Sequence, residues 1–287
     1  MAALLRSCLA LLAFSALTFS GGSAVAGTID KIRADQTLRI AYRDDAPPFS
    51  YKGPGSTGPT GFIVELCKVV AKKLADQLGV PGLKVTYVTV TASNRFDIIE
   101  RGDADLLCEP TSVTLSRRAR VDFSIATFVD GASLLTRDTS LSNLKAMAGR
   151  KIGVLSGTTT EERLRVSLRT FGISADVVPA ATHDEGLAML ESDRVSAYFA
   201  DQTILISLVN QSRNPEKLAI AEEFLSVEPY ALAMPRGDTE FRLAVDTALS
   251  HIYRGGEIGA VFRQSFGEKA QPTETLKTLY MLAGFPD

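Results

Sequence analysis

ADLLCEPTSVTLSRRAR, residues 104–120, changes character twice. An apolar run ends at Cys108. Hydroxyls follow at Thr111, Ser112, Thr114 and Ser116, and the stretch closes on Arg117, Arg118 and Arg120. An apolar run bounded by a proline has the pattern of a short buried strand. The hydroxyl-rich segment has the pattern of a loop entering a helix, with Thr114 or Ser116 as its N-cap. Hydroxyls and backbone donors at a strand's carboxyl end, backed by a guanidinium, suit a small anion, because Arg grips a carboxylate with two parallel hydrogen bonds. A capped helix with a solvated basic first turn fits the same residues. The flanking chain decides between them.

Upstream, Leu38–Tyr42 alternates like a strand and ends in Arg43-Asp44-Asp45. From Gly61 the spacing of Phe62, Leu66, Val70, Leu74 and Leu78 predicts a helix, stopped by Gly79 and Pro81. Lys84–Val90 reads as a strand, and Asn94–Glu100 as a short helix ended by Gly102. With Ala104–Cys108 as the next strand, the order is βαβαβ, which implies a mainly parallel sheet. Ligands of such sheets bind beyond the carboxyl ends of the strands. Arg43, the Ala92–Arg95 turn and Thr111–Arg117 all fall at such ends.

Downstream, Val121–Ser124 and Phe128 lead into a strand over Ser133–Thr136, and a second α/β unit begins. Lys151–Leu155 is a strand, and Ser156-Gly157-Thr158-Thr159-Thr160-Glu161 turns into a helix. Thr158 and Glu161 have capping-box spacing there. Such a turn also offers free N–H groups to an anion. Strands over Asp176–Val178 and Ala197–Ala200, the latter ending in Asp201, alternate with helices over Glu185–Glu191 and from Thr203. Glu228–Met234 is a strand running back, and helices over Phe241–Tyr253 and Glu257–Phe266 close the chain. Two α/β halves with polar strand ends suggest a cleft between two lobes.

The 287 residues suffice for one large domain or two ordinary ones. A net charge of −2 argues against nucleic acid as a partner, which would require a concentrated basic face. Arg6, the apolar run Leu9–Phe19 and Ala24-Val25-Ala26 form a secretory leader over residues 1–26, so the mature chain is expected to be exported. Cys67 and Cys108 then remain. One disulfide is arithmetically possible, but two buried free thiols are favoured, since spacing alone does not bring their Cα atoms together. No metal-ligand spacing, phosphate loop or dinucleotide fingerprint is present, so neither metal nor cofactor is expected. Taken singly, Arg43 suits a surface pair with Asp44 or Asp45, and Asp201 a cap on the Thr203 helix.

AYRDDAPPFSY, the SNR of TASNRFDIIERGDADLLC, TSVTLSRR, VDFS with FVDGASLLTR, SGTTTEERL, ATHDEGLAMLESDR and AYFADQ occur in an order that resembles the periplasmic solute-binding proteins of amino-acid ABC transporters, family 3. The likeness runs from about Leu38 to Phe266 and is greatest to the glutamate/aspartate-binding subgroup. It implies a two-lobed type II fold with a two-stranded hinge. The first lobe would span residues 27–131 and return over 230–287, and the second would span 132–229. It implies a monomer that binds an amino acid with an acidic or amide side chain and delivers it to the membrane subunits of an ABC importer. Carried over residue by residue, Arg117 would clamp the α-carboxylate with the backbone of Thr158 and Thr159. Asp201, assisted by Ser112, would meet the α-ammonium. Arg43, Arg95 and His183 would face the side chain.

Glu109 and Pro110 stand where the subgroup carries glycine and a hydroxyl residue, and Ala92 replaces a hydroxyl. If Glu109 points away from the cleft, the surplus of Arg favours glutamate or aspartate. If it points inward and pairs with an Arg, a polar, uncharged side chain such as that of glutamine is favoured. The exported cyclohexadienyl dehydratases also resemble these proteins. An enzyme of that kind would require a general acid, for which Glu109 is the candidate. A ligand sensor reporting to a separate membrane partner is a third possibility.

Overall fold

Strand β1 (Thr37–Arg43) lies at the centre of the parallel part of a five-stranded sheet, preceded by helix α1 (Thr28–Asp35). The computed structural model describes residues 27–286; the leader expected over residues 1–26 lies outside the described residues. After β1 come a small hairpin, β2 (Asp45–Ala46) and β3 (Ser50–Tyr51), and helix α2 (Phe62–Leu78). The four-residue apolar spacing of α2 buries Phe62, Leu66, Val70 and Leu74, and Gly79 ends it in the left-handed conformation at φ 66°. Strand β4 (Lys84–Val90) pairs in parallel with β1 from Thr37–Lys84 to Arg43–Val90. After helix α3 (Arg95–Glu100), the apolar start of the quoted stretch forms only a two-residue strand, β5 (Leu106–Leu107), on the other side of β1. Thr114 caps helix α4 (Leu115–Arg118) by accepting the Arg117 N–H.

Strand β6 (Val121–Asp130) ends the sheet's order, β4-β1-β5-β12-β6 with β12 formed by Glu228–Pro235, and passes into β7 (Ala132–Thr136) of a second sheet. That sheet has the order β11-β7-β10-β8-β9. It is built from β8 (Lys151–Leu155), α5 (Thr159–Thr170), β9 (Asp176–Ala180), α6 (His183–Glu191), β10 (Ala197–Asp201), α7 (Gln202–Gln211) and β11 (Ala219–Ile220). Strand β12 (Glu228–Pro235) returns to the first sheet antiparallel to β6, with Glu228 opposite Asp130. The two crossovers between the sheets therefore run side by side. Each sheet combines three parallel strands with an antiparallel pair.

Side-chain alternation divides the core between the faces of each sheet. Ile40 and Leu106 pack beneath α2, whereas Ala41 and Leu107 pack with Phe96 and Ile99 of α3. In the second sheet Tyr198 and Phe199 likewise belong to opposite faces. The chain does not close on the two expected helices. After α8 (Thr239–Arg254) and α9 (Glu257–Phe266) comes α10 (Glu274–Ala283), capped by Thr273. Leu276, Tyr280 and Ala283 are buried at helical spacing, and the Tyr280 hydroxyl donates to the Thr127 carbonyl at 3.2 Å. Among the described residues, no helix is long and apolar enough to cross a membrane.

The expectation of free thiols is overturned. Cys67 and Cys108 form a disulfide, with their Cα atoms 6.3 Å apart. The bond follows from the fold: α2 lies across the β1–β5 face, so the inward side of its second turn meets the residue that follows β5.

Candidate functional site

A small cavity lies between the two sheets. Arg43, Arg95, Ser112, Arg117, Thr158, Thr159, His183 and Asp201, the eight residues singled out from the sequence, all line it. They converge because each sits at or just beyond the carboxyl end of a parallel strand: β1, β4 and β5 on one side, β8, β9 and β10 on the other. Pro110, Leu155, Thr160, Phe199, Ala200 and Ile204 complete the wall.

On the first lobe, Arg117 is half-buried. Its guanidinium donates to the Ser112 carbonyl at 2.9 Å and lies 5.3 Å from the centre of the Phe96 ring, which also carries Arg95 at 4.9 Å. Arg43 is buried and forked onto Asp45, with Nε and Nη2 donating at 2.8 and 2.9 Å. Its pairing with Asp45 is thus real, but not at the surface. Burial works against the Arg43 charge, and Asp45 and Glu109 more than offset it, leaving its pKa raised. Burial lowers Arg95 to about 10 in spite of Glu109.

Glu109 points inward and is fully buried. One oxygen lies 3.3 Å from Arg95 Nε, without hydrogen-bond alignment, and the other lies 3.8 Å from Arg43 Nη1. It also accepts from the Thr111 hydroxyl. Burial raises its pKa against the pull of Arg95, Arg43 and Arg117. Glu109 does not itself line the cavity; it stands behind the two guanidinium groups that do.

On the second lobe, Gly157 turns the chain at φ +74°, a conformation that favours glycine. A Cβ there would come within 3.2 to 3.4 Å of Ala92 and Ser93 of the other lobe. Thr158 then caps α5 by accepting the Glu161 N–H at 3.1 Å. The Glu161 carboxylate reaches the Gly157 N–H rather than that of Thr158, so the capping box is displaced by one residue. His183 opens α6 and hydrogen-bonds the Tyr198 hydroxyl through Nδ1 at 3.0 Å. Burial, reinforced by Arg43, lowers it to about 3, so its ring is neutral. Asp201 makes no side-chain cap on α7, contrary to its reading as a simple helix cap. Its carboxylate is buried, with Thr160 Oγ1 at 3.5 Å. Burial and the negative charges of Glu228 and Asp130 raise its pKa well above the usual range.

Asp45 entered the sequence reading only as a surface partner for Arg43, and Glu228 went unnoticed. Asp45 carries the alternate-residue spacing from Arg43 that an extended chain places on one face, so a signal existed. Glu228 had none, because only the pairing of β12 with β6 brings it to the floor of the cleft. Its carboxylate accepts from Thr159 Oγ1 at 2.6 Å, from Ser226 Oγ at 2.9 Å, and from Ser112. Among the described residues, no group of His, Cys, Asp and Glu is placed to hold a metal ion.

The L-glutamate/L-aspartate-binding protein of Pseudomonas aeruginosa is 29% identical over 247 residues, covering 86% of this chain and 82% of the relative. The glutamate/aspartate import solute-binding protein of Escherichia coli is 26% identical over 268 residues, covering 92% and 87%. A solved structure of an ancestral arginine-binding protein bound to glutamine superposes with a TM-score of 0.72 at 26% identity, covering 81% of this chain and 98% of that one. The family model of bacterial extracellular solute-binding proteins, family 3, matches residues 38–268, and the chain belongs to that family.

Proposed function

We propose that the chain captures a free α-amino acid with a polar, carboxylate or carboxamide side chain between its lobes and delivers it to the membrane subunits of an ABC importer outside the cytoplasmic membrane, acting as a monomer. The observation that carries this is the opposition, across one cavity, of an Arg117 guanidinium from the first lobe and an Asp201 carboxylate from the second. An α-amino acid presents the complementary pair of charges on one carbon, so a single ligand bridges both lobes and favours their closure. Arg117 takes the α-carboxylate beside the N–H groups that open α5, and Asp201 takes the ammonium near Ser112. Arg43, Arg95 and His183 face the side chain. The names of the two relatives support this class of ligand.

Binding without turnover is part of the proposal. Glu109, the general-acid candidate from the sequence, is enclosed behind Arg43 and Arg95 rather than exposed to the cavity, and Asp201, the carboxyl group that does line it, is occupied by the ligand ammonium in this reading. A thermal-shift panel over the free amino acids tests the function, because a ligand that binds only the folded state raises the melting temperature. Stabilisation by a subset with polar side chains is expected. A flat panel, or turnover of prephenate or arogenate, would refute it.

A further inference from the structure

We infer that Glu109 sets the side-chain preference of this cleft: by compensating Arg95 and Arg43 from behind, it makes the side-chain subsite rich in donors but balanced in charge, so that it selects a carboxamide over a carboxylate. This rests on the amino-acid reading of the site given above.

Arg43 and Arg95 face the cavity. Arg43 is forked onto Asp45 on one edge, and Glu109 lies 3.8 Å from another of its nitrogens and 3.3 Å from Arg95. Two guanidinium groups are therefore matched by two carboxylates of the chain itself. His183, the remaining polar group at this end, is neutral. Arg117 shares the Phe96 ring with Arg95 and its charge also reaches Glu109, but it and Asp201 are engaged by the two charges carried by every α-amino acid.

A ligand side chain that ends in a carboxylate would add a negative charge with no unmatched cation, close to Glu109 in a poorly solvated site. Like charges so placed repel one another with little solvent screening. A carboxamide oxygen adds no charge and still accepts from the guanidinium N–H groups. Glu109 cannot easily swing away. The preceding residue is bonded to Cys67 on α2, the following residue is Pro110 with its fixed φ, and the Thr111 hydroxyl donates to the carboxylate.

Titration calorimetry near neutral pH with glutamine, asparagine, glutamate and aspartate, on the wild type and on Glu109→Gln, tests the inference. The wild type should bind at least one amide about tenfold more tightly than the matching acid. Glu109→Gln keeps the shape, removes one negative charge, and should move that ratio toward the acid by about tenfold. Asp45→Asn removes the other compensating charge and should move it the same way, which keeps the test open if Glu109→Gln does not fold. A wild type that prefers glutamate or aspartate, or a ratio unmoved in the folded variants, overturns the role of Glu109 while leaving amino-acid capture standing. If neither protein binds any of the four, the inference is overturned; silence of all other amino acids as well would remove the amino-acid reading with it.

Discussion

Ser112 of the first lobe and Thr159 of the second bring their hydroxyl oxygens to 3.1 Å from each other, and both donate to the same oxygen of Glu228. Glu228 belongs to β12, one of the two strands that cross between the sheets. A single buried carboxylate thus gathers both walls of the cleft at its floor.

Glu228→Ala would leave the hydroxyls of Ser112, Thr159 and Ser226 without their acceptor. Each buried hydroxyl stranded in this way costs about 1–3 kcal/mol, although relaxation and water recover part of it. Ligand affinity should fall about tenfold or more, and small-angle scattering should show a larger radius of gyration for the ligand-free variant. Scattering and affinity indistinguishable from wild type would show that the lobes are held together by something else.

Arg117→Ala is expected to be the most damaging substitution in the cavity. On the proposed reading it removes a charge-assisted fork to a desolvated carboxylate, worth about 2–5 kcal/mol by analogy with truncating a buried charged partner. Phe96→Leu keeps the guanidinium but removes the ring 5.3 Å beneath it, and should cost about 0.5–2 kcal/mol of affinity. Calorimetry on both variants checks the order. A loss of less than tenfold for Arg117→Ala would remove Arg117 from the carboxylate-binding role.

What the sequence made legible was what depends on local pattern. Apolar spacing between Gly61 and Gly79 was enough to bound α2, and the runs at Lys84–Val90, Lys151–Leu155 and Glu257–Phe266 coincide with their elements. Topology then brings strand ends together, which is why residues as distant in the chain as Arg43 and Asp201 share one cavity. Features fixed by packing between distant segments were not legible. The disulfide depends on where α2 crosses the sheet, and Glu228 depends on a strand pair about a hundred residues apart in sequence. The direction of Glu109 depends on a rotamer enclosed by Arg43, Arg95 and Thr111. Helix α10 was missed although its buried positions follow the helical period, because its polar residues obscure a short pattern.

The Cys67–Cys108 bond closes a loop with a sequence separation of 41 residues. The chain-entropy account gives such a crosslink about 4 kcal/mol of stability. In a protein of this size, reduction should lower the melting temperature on the order of 10 °C. Melting curves with and without reductant, with free thiols titrated to verify reduction, measure this. An unchanged melting temperature for the fully reduced protein would show that the bond adds little to the packing of α2 on the sheet.

With Asp201 at the proposed ammonium end of the cavity, binding there depends on pH. Asp201 is buried and faces the negative charges of Glu228 and Asp130, which together hold its pKa well above the usual carboxylate range. Burial also raises Asp130, to about 6. Only ionised Asp201 answers a ligand ammonium, and bound ammonium in turn favours the ionised form. The sign follows by linkage: as pH falls through the raised Asp201 pKa, ligand binding must expel a proton, so affinity declines toward acid pH. His183 does not contribute, because at about 3 it stays neutral across this range. Glu109, also raised, affects the side-chain end instead, and Asp201→Asn separates the two effects by removing the proton at the ammonium end alone. Calorimetry between mildly alkaline and mildly acidic pH, in buffers of different ionisation enthalpy, counts the protons released. Wild type should weaken toward acid and release up to about one proton per ligand, whereas Asp201→Asn should bind weakly with a much flatter profile. Equal affinity across the range, with no proton released, would mean that Asp201 does not meet the ammonium.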